Sequence, residues 1–185
     1  MPLLTEEAFR ASLDERGILR PGALTAPDRV RSYAIFAQRP DVWLDIGAIK
    51  RQAEQFFGTK IGMTVDKHYG DVAPAVDAAR IVVSGADGTA SGTRLCYGRA
   101  VEPSDLAAAE EAERAIGTCG LALLAQRCKT IWTVVPEAED DRAALTIAAI
   151  LASALLGPIL SPGGQEIIGV RSARLKLEGR ASPYR

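Results

Sequence analysis

The chain has 185 residues, with 22 Lys and Arg against 23 Asp and Glu, a formal net charge of −1 and 48% hydrophobic residues. That size and balance predict one soluble domain with a substantial core. Near-neutrality excludes a global electrostatic pull toward nucleic acid or acidic membranes. The 3 cysteines are irregularly spaced, with no disulfide framework and no CxxC pair for a metal. The opening MPLLTEEAFR lacks the basic and apolar stretches of a secretory signal, so the cytoplasm is the expected compartment.

In chain order, Thr5 is placed to cap a first helix, with Glu6 and Glu7 in its first turn and Gly17 as its stop. A second helix is expected from Pro27, a favoured first position, to just before Pro40. Asp41 caps a third. On it Val42, Ile46, Ile49, Ala53, Phe56 and Phe57 share one face, and Gly58 closes it. Trp43 and Leu44 lie off that face, where they cover a loop or meet a partner. Residues 1–58 therefore predict a helical N-terminal region. Its nine basic and eight acidic residues up to position 60 make no basic patch for DNA.

Strand-like segments follow. Lys60 to Val65 is one. Arg80 to Ser84 and Thr93 to Val101 flank the glycine-rich GADGTASG and predict a hairpin with a long connection. That loop is not a phosphate-binding loop, because a strand rather than a helix follows it and no GK[ST] ends it. A GxGxxG dinucleotide fingerprint is also absent, so no cofactor is named by the sequence and its identity stays unknown.

A helix is expected from Ser104 to about Arg127. It places Ala109, Ala112, Ile116, Cys119, Gly120 and Leu123 on one face, opposite Glu110, Glu111 and Arg114. Thr130 to Val135 makes a strand. Between Ala143 and Gln165 the chain then runs for 23 residues without a charge. Its helical part spans about Ala143 to Leu156, because Gly157-Pro158 is a stop. Six alanines, Thr146 and Ser153 dilute it, and no Lys/Arg cluster flanks it, so it predicts a buried helix and not a membrane span. Thr146, Ala149, Ser153 and Gly157 form a stripe of small residues. The helix from Ser104 carries a similar one, and the two helices are expected to touch, within one subunit or across a dimer axis. Glu166 to Leu177 is taken as a last strand, with Arg171 on one side and Arg174 and Lys176 on the other. Its local excess of positive charge fits an edge strand protected from unwanted pairing.

The expected fold is α/β (α+β): a helical N-terminal region, then a mixed β-sheet with two long helices packed on one face. One domain spans residues 1–185, with the α/β part over 59–178 and a frayed tail at 179–185.

Candidate chemistry is sparse. The only histidine, His68, follows a strand end in Val65-Asp66-Lys67-His68-Tyr69-Gly70-Asp71. With Asp66 or Asp71 to orient it, His68 is the candidate acid/base. Arg94 or Arg99 would hold an anionic substrate, with Lys67 and Tyr69 as accessory donors. One histidine and scattered carboxylates lack metal-ligand spacing, so no metal is expected. Cys96, mid-strand beside Arg94, is expected to be buried. The main functional expectation is a homo-oligomeric small-molecule-binding or accessory protein, with no nucleic acid and no membrane as partner. The alternative is a small cofactor-independent enzyme working through His68.

Overall fold

A computed structural model describes residues 6–18, 20, 22–23, 25–38, 44–63, 77–85, 92–117, 120–138 and 141–179. Its centre is a seven-stranded sheet. The strands are β1 (Tyr33–Ala37), β2 (Thr59–Met63), β3 (Asp77–Gly85), β4 (Gly92–Ala100), β5 (Thr130–Val134), β6 (Ile159–Leu160) and β7 (Ile167–Ile168). They lie in the order β2-β3-β4-β5-β1-β6-β7. Every pairing is antiparallel, so the sheet is not the mixed one expected.

The helices are α1 (Glu6–Ala11), α2 (Ile46–Phe57), α3 (Pro103–Ile116), α4 (Leu121–Gln126), α5 (Arg142–Leu155) and α6 (Val170–Leu177). Alternation along β1 divides the interior into two cores. Ile35 and Ala37 join Trp132, Val134, Ile81 and α5 on one face, while Ala34 and Phe36 join Ile131, Ala109, Ala112 and Ala125 on the other. The sheet is thus covered by α5, α2 and α6 on one side and by α3 and α4 on the other. The two long helices predicted to share a face lie on opposite faces, with the sheet between them.

The charge-free segment behaves as its composition demands. Asp141 caps α5 by accepting from the Ala144 N–H at 3.0 Å. Ten of the helix's residues are buried, Ile147, Ala148, Ala149, Ile150 and Leu151 among them. Its cover comes from β1, α2 and α6 of the same chain. Ser153, from the small-residue stripe, donates to Gln52 of α2 at 2.6 Å. Gly157 then lets the chain pass against β1, because a Cβ there would overlap the Phe36 carbonyl oxygen. Two bonds weld this helix end to the strand: Phe36 N–H to the Pro158 carbonyl at 3.1 Å and Gln38 N–H to the Leu155 carbonyl at 3.0 Å.

Other expectations hold or fail for identifiable reasons. The third helix ends at Gly58 with φ 59° as expected, but its cap is Asp45, whose carboxylate accepts from Ala48 N–H at 3.1 Å. Leu44 is buried in the α5 core, and Trp43 lies outside the described residues. The β3–β4 hairpin is in place, with Val83 opposite Gly92.

The helical N-terminal region is corrected: in place of the helix expected from Pro27 stand a 3-10 turn, Arg29–Arg31, and then β1. A strand buried on both faces shows no alternation, so YAIFA carries no period-two signal. The helix expected over 104–127 is two, because Gly117 (φ 73°) and Gly120 (φ 101°) take left-handed conformations between α3 and α4. The last strand shrinks to β7, and the rest of that segment is α6. There Val170, Ala173 and Leu177 repeat at helical spacing and pack on the α5 core.

Candidate ligand cleft

Arg94 and Arg99 lie on the same strand, β4, but on opposite faces of it. The side carrying Arg94, Cys96 and Gly98 faces the α5 core, where Gly98 makes room for the Trp132 ring. Arg94 Nε donates to Asp141 Oδ2 at 2.7 Å, and its Nη1 approaches Glu137 Oε1 at 3.1 Å. Asp141 also accepts from the Glu137 N–H at 2.8 Å. Burial pushes the Asp141 carboxyl up, but the bonds from Arg94, Glu137 and Ala144 win and hold it below the usual carboxylate range. Arg94 therefore ties β4 to the start of α5.

Arg99 performs the same service on the other face. Its Nη1 and Nη2 donate to Asp105 Oδ2 and Oδ1 at 2.7 and 2.9 Å, a bidentate pair. Asp105, in the first turn of α3, has a fully buried side chain and also accepts from the Glu102 N–H at 2.9 Å. The hydrogen bond to Asp105 raises the Arg99 pKa. Both guanidiniums expected to take an anionic substrate are thus engaged with buried aspartates, and the structure does not bring them together. His68, Asp66, Asp71, Lys67 and Tyr69 lie outside the described residues.

The cysteines in view are not poised for chemistry. Cys96 is fully buried in the core. Burial pushes the Cys128 thiol up to about 11, and it donates to the Leu124 carbonyl at 3.4 Å. Among the described residues no group of His, Cys, Asp and Glu is arranged to hold a metal ion. No helix among them is long and apolar enough to cross a membrane.

A concave site does form beside α3. The 3-10 turn Arg29–Arg31 packs on a second 3-10 turn, Pro162–Gly164, which packs on that helix, and the three line an open cleft of about 350 Å³. Each wall follows from local sequence. Asp28 caps the first turn by accepting from the Val30 N–H at 3.0 Å, which presents Arg29 and Val30 to the cleft. Along α3, Ala108, Ala112 and Ala115 give a wall too short to fill the space, and Glu111 stands beside them. In the second turn Gly163 (φ 77°) and Gly164 (φ 67°) offer bare backbone, and Gln165 adds an amide. Ser161 steadies that turn by accepting from the Glu166 N–H at 3.1 Å.

The charge in this cleft comes from an unequal sharing. Arg29 Nε lies 3.5 Å from Asp105 Oδ1, on the carboxylate that Arg99 already grips with two bonds. Arg99 also has the exposed Glu102 carboxylate 3.9 Å away, so the loosest contact of the group is the one Arg29 makes, at the cleft wall. Among the described residues the Arg29 side chain has no other ion pair or hydrogen bond, and the Glu111 side chain has none. The sequence held no signal for this site, since Arg29, Glu111 and Gln165 are far apart in the chain and belong to no motif. No family model matches the chain, and neither a curated protein nor a solved structure matches it, so the functional reading rests on this geometry.

Proposed function

We propose that the protein binds a small polar molecule in the cleft between the two 3-10 turns and α3. The observation that carries this reading is a cavity of about 350 Å³ lined by backbone, alanines and Arg29, whose one ion pair is a 3.5 Å contact to a carboxylate that Arg99 also holds. That volume lies in the range of small-ligand sites, roughly 300–1,000 Å³. Arginine is suited to holding an anionic group bidentately.

A fragment screen by amide NMR on the full chain tests it. Hits are expected to move the resonances of residues 163–165 and 108–115, and Ala108→Phe, which fills the cleft, should abolish those shifts. Hits that map elsewhere and survive Ala108→Phe would overturn the reading.

A homo-oligomer in the cytoplasm remains part of the proposal, but α5 no longer argues for assembly, because its cover lies within one chain. Native mass spectrometry reads the assembly directly. The alternative, an enzyme using His68, loses the support expected of Arg94 and Arg99, which serve as clips between elements.

A further inference from the structure

Resting on the cleft reading, we propose that its ligand is amphoteric: a small molecule with an anionic group at one end and a protonated amine at the other, the class of free amino acids and ω-amino acids. The cleft carries two unlike charges that do not reach each other. Arg29 lines one wall and Glu111 another. No ion pair joins them among the described residues, although both face the same space. Opposite charges lining one cleft without a direct contact are bridged well by a ligand carrying both complements.

Each partner suits its role. The Nε edge of Arg29 is turned to the buried Asp105, which leaves the two terminal nitrogens for a carboxylate, a fork that matches carboxylate geometry. Asp105 cannot drift to follow the ligand, because Arg99 and the Glu102 N–H already hold both of its oxygens. Glu111 is an exposed acceptor on α3, able to take an ammonium group without burying an unpaired charge. The Gln165 amide and the backbone of Gly163 and Gly164 supply neutral donors and acceptors between the two ends. A simple anion would satisfy Arg29 and face Glu111 as a like charge, which disfavours it.

The test uses the full chain and a graded series of probes: glycine, β-alanine, γ-aminobutyrate, 5-aminopentanoate and 6-aminohexanoate, with the corresponding monocarboxylates and monoamines as controls. Titration is followed by calorimetry and by the amide resonances of residues 163–165. One chain length is expected to bind best, reporting the separation of Arg29 and Glu111, and both control series should bind at least about tenfold more weakly. Arg29→Gln and Glu111→Gln should each lower that affinity by a similar factor. Glu111→Gln lies at an exposed helix position, so its fold is secure and it serves as the decisive variant.

If monocarboxylates bind as well as the amino acids and Glu111→Gln changes nothing, the amphoteric class is wrong while the cleft reading stands. The same holds if fragments of another class occupy the cleft and the whole amino-acid series does not. If no probe or fragment perturbs the cleft, both fail together.

Discussion

Arg99 holds Asp105 with both terminal nitrogens, at 2.7 and 2.9 Å, and the aspartate side chain has no exposure to solvent. This one pair fastens the end of β4 to the first turn of α3, and through Asp105 it sets the position of Arg29. Removing one partner of such a buried pair leaves the other charge without compensation. Asp105→Ala is therefore expected to lower stability by about 3–5 kcal/mol, measured by urea unfolding. A loss below about 1 kcal/mol would mean that the pair is solvated as surface pairs are.

Acid should unfold the protein by a route readable in two residues. In both Asp105 and Asp141 burial is the largest single influence and pushes the carboxyl up, but the hydrogen bonds to arginine and backbone N–H groups, together with the arginine charge, bring it below its ordinary value. A carboxylate depressed in the folded state stabilises fully above its unfolded pKa, about 4. That contribution is lost as pH falls through the lower folded values. Urea unfolding between pH 2 and 7 should show stability declining below about pH 4, with a shallower decline in Asp141→Asn. An identical slope in the variant would remove Asp141 from this account.

Ile150 sits fully buried near the middle of α5. Ile150→Ala is expected to cost about 2–5 kcal/mol through lost burial and the cavity left behind. Ile150→Asp should prevent folding, because an unpaired charge at that depth has no compensating partner. Folded Ile150→Asp protein with a native circular dichroism spectrum would contradict the internal position of α5.

Cys128 is expected to resist alkylation. With its thiol pushed up to about 11 by burial, almost none is thiolate at pH 8. Peptide mapping after iodoacetamide treatment should find Cys128 unmodified in native protein and modified once urea is added. Modification at equal rates in both states would show that the α4 end opens freely.

What could be read from the residues is unevenly distributed. The β3–β4 hairpin, β5, the Gly58 helix stop and the extent of α5 were legible, since each depends on local patterning: alternation, a glycine in a left-handed turn, a long run without charge. β1 was not, because burial on both faces erases the period that distinguishes a strand from a buried helix. The segment of α6 reads as part of an edge strand, with Arg171 on one side and Arg174 and Lys176 on the other, while the contacts that identify it as a helix, Val170, Ala173 and Leu177 against α5, are tertiary. The roles of Arg94 and Arg99 were equally invisible. A cation on a strand signals an anion partner, and only packing shows whether that partner is a ligand or the chain's own Asp141 and Asp105.

By itself the sequence determined the presence of a central buried helix and the order of three strands, a helical stretch, a strand and that helix between residues 59 and 155. These follow from composition and period, which act over neighbouring residues. The tertiary structure alone decided that β1 lies between β5 and β6, that α3 and α5 cover opposite faces, and that Arg29, Glu111 and Gln165 line one cleft. Each of these joins residues remote in the chain, where the burial of distant apolar faces, and not any local preference, selects the partner.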